Sequence, residues 1–229
     1  MSKIEKKIIA IGGVGVSPES DKELDNFIIN HSKKMKNNIG FLGTASKDDK
    51  EKINKFYKRF DNTSSELSHF NLTSDIDGFH EWLLSKDIVY VGGGNTFYML
   101  EIWKKNSLEQ VFKKAYEKGL ILSGVSAGAV CWFDWILSDS MGRGFEPLKG
   151  INLIEGSCTP HSDNIERINE FEFNIKNNKL PNGVAIDDGV AVVFIDGKPS
   201  EVYSSINNHN AYFLDKNTKI NLKEYIKNI

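Results

Sequence analysis

Apolar residues recur along this chain in short closed runs, separated by segments of helical spacing. Lys7–Gly12 (KIIAIG) and Ile39–Gly43 (IGFLG) are continuous apolar stretches ended by glycine, the pattern of strands buried on both faces of a parallel sheet. Asp87–Val91 (DIVYV) and Leu120–Ser123 repeat it, and Glu66–Leu72 alternates as a strand does. Helical patterns lie between. Ser20–Glu23 (SDKE) reads as a capping box opening a helix with Leu24, Phe27 and Ile28 on one face. Asp48–Phe60 places Ile53, Phe56, Tyr57 and Phe60 at helical spacing. Ile76–Leu84, a segment presenting Phe97, Leu100 and Ile102, Leu108–Lys118 and Ala127–Leu137 read as further helices.

The first 137 residues therefore alternate strand and helix about five times, which predicts an α/β fold, a mainly parallel sheet with helices on both faces. The last third reads differently. Ser138–Gly150 is loop-like, Ile151–Ile154 is a short strand, and Ile165–Lys176 is a helix. Val184–Ile186, Val190–Ile195, Glu201–Ser204 and Ala211–Leu214 read as strands, with Asp196-Gly197 as a hairpin turn. We read this part as an antiparallel C-terminal extension of the same sheet. No Pro/Ser-rich linker divides the chain, so residues 1–229 read as one α/β domain.

Composition narrows the function classes. A formal net charge of -2 gives no basic field for nucleic acid or an anionic membrane. Lys33-Lys34-Met35-Lys36 reads as a solvated helix end. Cys131 and Cys158 form no metal or redox pair and read as small buried hydrophobes. The N-terminal apolar run is too short for a signal peptide, and no stretch approaches a transmembrane helix, so the expected setting is the cytoplasm. Gly13-Val14-Gly15 fails as a dinucleotide fingerprint because Pro18 stands where the third glycine belongs.

The chemistry centres on Gly124-Val125-Ser126-Ala127-Gly128, a G-x-S-x-G sequence between a buried strand and a helical segment. That context makes a nucleophile elbow, in which the serine hydroxyl stands exposed at the strand's C-terminal edge. Such a serine needs a base, and the base an orienting carboxylate. Among His31, His69, His80, His161 and His209, the loop residue His161 is the candidate base. Asp188, of the Asp187-Asp188 pair, and Asp139 are both candidate orienters, and chain position does not separate them. The Ala127 N–H and the glycine run Gly92-Gly93-Gly94 can supply an oxyanion hole. Phosphate cradling by that run is the rival reading, weakened by the absence of a Walker lysine.

Gly92-Gly93-Gly94-Asn95-Thr96-Phe97, Gly124-x-Ser126-Ala127-Gly128-Ala129 and Pro160-His161, in this order, resemble the peptidase E family of serine peptidases. That family includes aspartyl dipeptidases and, more distantly, cyanophycinases. The resemblance spans roughly residues 7 to 214. It implies a flavodoxin-like fold related to class I glutamine amidotransferases, a serine mechanism without metal or other cofactor, and often a homodimer. Carried onto this chain, it makes Ser126 the nucleophile, His161 the base, and Gly93 or Gly94 with Ala127 the oxyanion hole. The acidic member falls on Asp188 by the cyanophycinase pattern and on Asp139 by the dipeptidase pattern; we favour Asp188. The implied substrate is a small peptide with N-terminal aspartate. Arg143 is then the candidate cation, while Asn95 and Thr96 either orient substrate or cap the next helix. A peptidase of cyanophycinase type and a non-catalytic binding module are the alternatives. A glutamine-amidotransferase-like reading is disfavoured because it needs cysteine where Ser126 stands.

Overall fold

The computed structural model describes residues 4–61 and 63–227. In chain order its elements are β1 (Lys7–Ile11), α1 (Pro18–Asn30), β2 (Asn38–Leu42), a 3-10 turn (Thr44–Ser46), α2 (Lys50–Phe60), β3 (Glu66–Phe70), α3 (Phe79–Leu84), β4 (Ile88–Val91), α4 (Thr96–Lys105), α5 (Leu108–Glu117) and β5 (Ile121–Val125). They continue as α6 (Ala127–Val130), β6 (Phe133–Ser138), β7 (Glu146–Lys149), β8 (Ile154–Thr159), α7 (Ile165–Lys176), β9 (Gly183–Ile186), β10 (Val190–Ile195), β11 (Lys198–Ser204), β12 (Ala211–Leu214), β13 (Lys219–Asn221) and α8 (Leu222–Lys227).

The strands form two sheets. The larger runs β11-β10-β1-β5-β4-β2-β3. Its five members from β1 to β3 are mutually parallel, and β10 and β11 add to the β1 edge antiparallel. Successive side chains of a strand point to opposite faces. Thus Ile9 and Ile11 pack with Phe41 and Tyr90 under Leu24, Ile28, Ile53 and Phe56 of α1 and α2. Ile8, Ala10, Val89 and Leu122 face the other way, toward α3, α4 and α5.

The expected antiparallel extension of one sheet holds only for β10 and β11. The rest of the last third builds a second sheet, ordered β13-β12-β9-β8-β6-β7, in which β6, β8 and β9 run parallel. One face shares the core of the first sheet, where Phe133 meets Phe194 edge-on at 5.2 Å. The other is covered by Ile168, Phe171 and Ile175 of α7.

The short strand read at Ile151–Ile154 lies further on, as β8 at Ile154–Thr159, and three other local boundaries differ from the sequence reading for identifiable reasons. Helix α1 starts at Pro18 and not at the SDKE box, because Ser17 accepts the Ser20 N–H at 3.1 Å and proline suits the first turn. The helix read over Ala127–Leu137 is only α6, four residues long. Its aromatic and β-branched continuation, FDWILS, is strand β6. The loop-like 138–150 segment contains β7. Cys131 and Cys158 are free and fully buried. No described helix is long and apolar enough to cross a membrane.

Candidate active site

The strands that matter end together. Ser126 follows β5 in the first sheet, while His161 and Asp188 each follow, two residues on, the paired parallel strands β8 and β9 of the second. The C-terminal edges of the two sheets meet at this point.

Ser126 caps α6 with φ 54° and ψ -115°. A non-glycine residue there is strained, by roughly 1–3 kcal/mol. The flanking glycines make the turn sterically feasible. A Cβ on Gly124 would stand 2.4 Å from the Gly128 carbonyl oxygen, and one on Gly128 would stand 2.1 Å from that of Val91. The backbone N–H of Ser126 donates to the Ile11 carbonyl at 3.0 Å, tying the elbow to β1.

His161 bridges the serine and a carboxylate. Its Nε2 lies 2.8 Å from Ser126 Oγ, and its Nδ1 lies 2.5 Å from Asp188 Oδ1. The other carboxylate of the pair does a different job. Asp187 is buried and accepts from Ser162 Oγ at 2.5 Å and from the Asn210 N–H at 2.9 Å, which fixes the loop that presents Asp188. His209 reinforces the loop through Nδ1, which donates to the Asp188 carbonyl at 2.8 Å.

Asp139 follows β6, on the opposite side of β8 from β9. The two carboxylates that the sequence left open therefore flank the histidine loop from opposite sides. Asp139 pairs with Arg167, whose Nη2 donates to Oδ2 at 2.9 Å, and the carboxylate on His161 is Asp188.

Gly93 lies against the serine: a Cβ placed on it would be 3.2 Å from Ser126 Cβ. Gly94 instead packs on the Thr44–Ser46 turn, where a Cβ would be 2.2 Å from the Ala45 carbonyl oxygen. Ala127 opens α6 directly after the serine. Asn95 caps α4, accepting the Tyr98 N–H at 2.7 Å, and its side-chain amide donates to the Ser140 carbonyl at 2.9 Å.

Two cavities meet at Ser126, and Ser126, His161 and Gly94 line both. The smaller, about 440 Å³, is walled by Thr96, Ser138, Asp139, Asn164 and Arg167. The larger, about 980 Å³, runs between α1 and α2 over Phe41, Phe56, Tyr90 and Val125. In its wall Arg59 holds Asp25 through two hydrogen bonds, at 2.5 and 2.9 Å. Burial raises the Asp25 carboxyl against the pull of Arg59, and it pushes the Tyr90 phenol up to about 12. Arg143 is exposed and lines neither cavity, whereas Arg167 lines the smaller one.

Two residues at the site escaped the sequence reading. Arg167 is buried in the smaller cavity, with its guanidinium 4.6 Å over the Phe145 ring. Its signal was its place in the first turn of the helix that follows the His161 loop. Gly13, read as a plain loop residue, bridges to Asp188 and accepts the Gly189 N–H at 2.9 Å. A Cβ there would fall 2.0 Å from Asp188 Oδ1 and 2.8 Å from His161 Nδ1.

The sequence model of one protein family, described as peptidase family S51, matches residues 8–202. The chain belongs to peptidase family S51. This is the peptidase E family that the GGGNTF, G-x-SAGA and Pro-His motifs resemble. The uncharacterized peptidase YgaJ of Bacillus subtilis (strain 168) is 38% identical over 213 residues, covering 90% of this chain and 91% of its own. The uncharacterized peptidase Lin0382 of Listeria innocua is 26% identical over 176 residues, covering 70% of this chain and 80% of its own. The crystal structure of a peptidase from an acI-B1 Actinobacterium shares the fold, with TM-score 0.71 and 16% identity over 96% of this chain and 95% of that one. A putative peptidase E protein from Listeria monocytogenes EGD-e does so with TM-score 0.59 and 17% identity, covering 95% and 98%. S51 membership makes this chain a peptidase by family.

Proposed function

We propose that this S51 chain is a cytoplasmic serine dipeptidase that hydrolyses small peptides with an acidic N-terminal residue, aspartate first. The observation that carries the reading is the Ser126–His161–Asp188 hydrogen-bonded chain, at 2.8 and 2.5 Å, at the junction of two cavities. His161 Nε2 takes the Ser126 proton as Oγ attacks the scissile carbonyl, and Asp188 holds the imidazole by its Nδ1–H and stabilises the imidazolium. The Ala127 and Gly93 N–H groups receive the oxyanion. His161 then gives the proton to the departing amine, and water, activated by the same imidazole, releases the acyl group.

The fold is consistent with the flavodoxin-like, amidotransferase-related class. The order β3-β2-β4-β5-β1 reproduces the flavodoxin order 2-1-3-4-5 if β1 is counted last. Sites in such sheets lie beyond the C-terminal strand ends, where Ser126 stands.

Arg167 supports the acidic preference. Asp139 occupies only part of its five-donor fork, and the smaller cavity suits a short side chain. A panel of Asp-Leu, Glu-Leu, Asn-Leu and Ala-Leu tests this. Asp-Leu is expected to have the highest kcat/KM, and Arg167→Gln is expected to lower it by roughly 10- to 100-fold, the worth of a charged hydrogen bond. The variant should leave Ala-Leu almost unchanged. Equal rates on Asp-Leu and Ala-Leu in the wild type would discard the acidic preference and leave the serine mechanism standing.

Gly13 gives a second test. Gly13→Ala must push Asp188 away from His161, and a misplacement of about 1 Å can cost on the order of 10² in rate. The expected result is a kcat lowered by about that factor, with an unchanged far-ultraviolet circular dichroism spectrum. Wild-type kcat in a folded Gly13→Ala protein would count against the role given to Asp188.

A further inference from the structure

The larger cavity has features that the acyl side of the reaction does not use. Helix α2 turns Lys52, Phe56 and Arg59, at i, i+4 and i+7, toward it. Arg59 is committed to Asp25. Lys52 is exposed along α2, and its Nζ donates to the Gly93 carbonyl at 3.1 Å, which places an ammonium beside the loop that touches Ser126. Deeper in, the wall becomes aromatic. Phe41 and Phe56 stack at 4.9 Å, with Tyr90 and Val125 beside them.

Ser126 lines both cavities, so a peptide lying across it has room for one end in each. If the Arg167 cavity takes the acyl residue, as proposed above, the leaving residue lies between α1 and α2. That residue of a dipeptide carries its free carboxylate a few bonds from the scissile nitrogen, and its side chain beyond. Both features border the glycine loop next to Ser126: the Lys52 ammonium lies on the Gly93 carbonyl, and the apolar wall begins at Phe41, where a Cβ on Gly92 would stand 3.0 Å from Cζ.

We propose that this groove is a specificity site for a bulky apolar C-terminal residue, with Lys52 receiving its α-carboxylate and the Phe41–Phe56 wall its side chain. The favoured substrates are dipeptides ending in a residue such as phenylalanine. The need for a carboxylate next to the scissile bond disfavours longer or C-terminally blocked peptides. The inference rests on the assignment of the acyl side to the Arg167 cavity.

Calorimetric titration of Ser126→Ala and of Ser126→Ala/Lys52→Gln with Asp-Phe, Asp-Phe amide, Asp-Gly and Ala-Phe tests it without turnover. Lys52 is exposed on its helix, so both proteins should fold. Asp-Phe is expected to bind at least about 10-fold tighter than Asp-Gly, from burial of the ring. It should also bind at least about 10-fold tighter than its amide, from the charged hydrogen bond. Lys52→Gln should bring the acid-to-amide ratio to within about 2-fold and keep the Phe-to-Gly ratio. Equal binding of Asp-Phe and Asp-Gly, an acid-to-amide ratio that Lys52→Gln leaves unchanged, or no binding of any peptide would overturn the proposal. The Asp-Phe to Ala-Phe ratio reads the acyl side separately. Its loss with the other two ratios intact would reject the acidic preference of the acyl side, not the placement of the acyl residue, and keep the groove.

Discussion

Replacing Ser126 by alanine is expected to lower peptide turnover by on the order of 10⁶, the loss seen when a triad nucleophile is removed. The expectation follows from geometry. Among the described residues, the hydrogen-bond partner of His161 Nε2 is Ser126 Oγ, at 2.8 Å. Cys131 and Cys158 offer no substitute, since both are fully buried and burial pushes their thiols well above the usual range. Stability gives the same residue a second signature. At φ 54° and ψ -115° Ser126 is strained, and Ser126→Ala keeps that strain because alanine retains the Cβ. Ser126→Gly relieves it, partly offset by glycine's greater freedom in the unfolded chain. A net gain of about 1 kcal/mol would raise Tm by roughly 2–4 °C in a chain of this size. An inactive but more thermostable Ser126→Gly protein, measured by differential scanning calorimetry beside the kinetics, is the expected result. A Ser126→Ala protein with turnover near wild type would remove serine chemistry from the account.

Asp188→Asn is expected to reduce kcat by about 10⁴, because an amide facing Nδ1 favours the wrong imidazole tautomer while leaving the packing intact. Asp139→Asn should stay within about 10-fold of wild type in kcat and act on KM, since its contact is Arg167 at the wall of the smaller cavity. Steady-state kinetics of the two variants on one peptide separates the carboxylates. The reverse ranking would transfer the orienting role to Asp139 and require the His161 loop to rearrange in the substrate complex.

The contrast between these two residues shows where sequence reading stops. The parallel strands β1, β2, β4 and β5 were legible because burial on both faces leaves an unbroken apolar run, and each run closes on or near a glycine at the functional edge. Ser126 was legible because strand, elbow and small residues are contiguous. His161 and Asp188 are neighbours only because β8 and β9 pair in parallel, Thr159 beside Ala185. Neither strand announces that partnership: β8 is IEGSCT, with two polar residues and a glycine among its central positions. The second sheet was missed for the same reason, its outer strands EPLK and KIN being too short and polar to show a period. The run AGAVCWFDWIL could not be divided into α6 and β6, because a continuous apolar stretch fits a buried helix and a buried strand alike. Gly13 was undervalued because its role is to be absent: the space its side chain would fill belongs to Asp188. Arg143 was singled out as an arginine in a loop that could reach the site, whereas the buried Arg167 is brought to the site by the helix after His161.

The measurement that bears most directly on the central claim is labelling with a small fluorophosphonate, followed by peptide mapping. The account predicts one equivalent of phosphonylation on Ser126, slowed by Asp-Leu and abolished in Ser126→Ala and His161→Ala. Label on another residue, or peptide hydrolysis that continues undiminished in the Ser126→Ala protein, would contradict it.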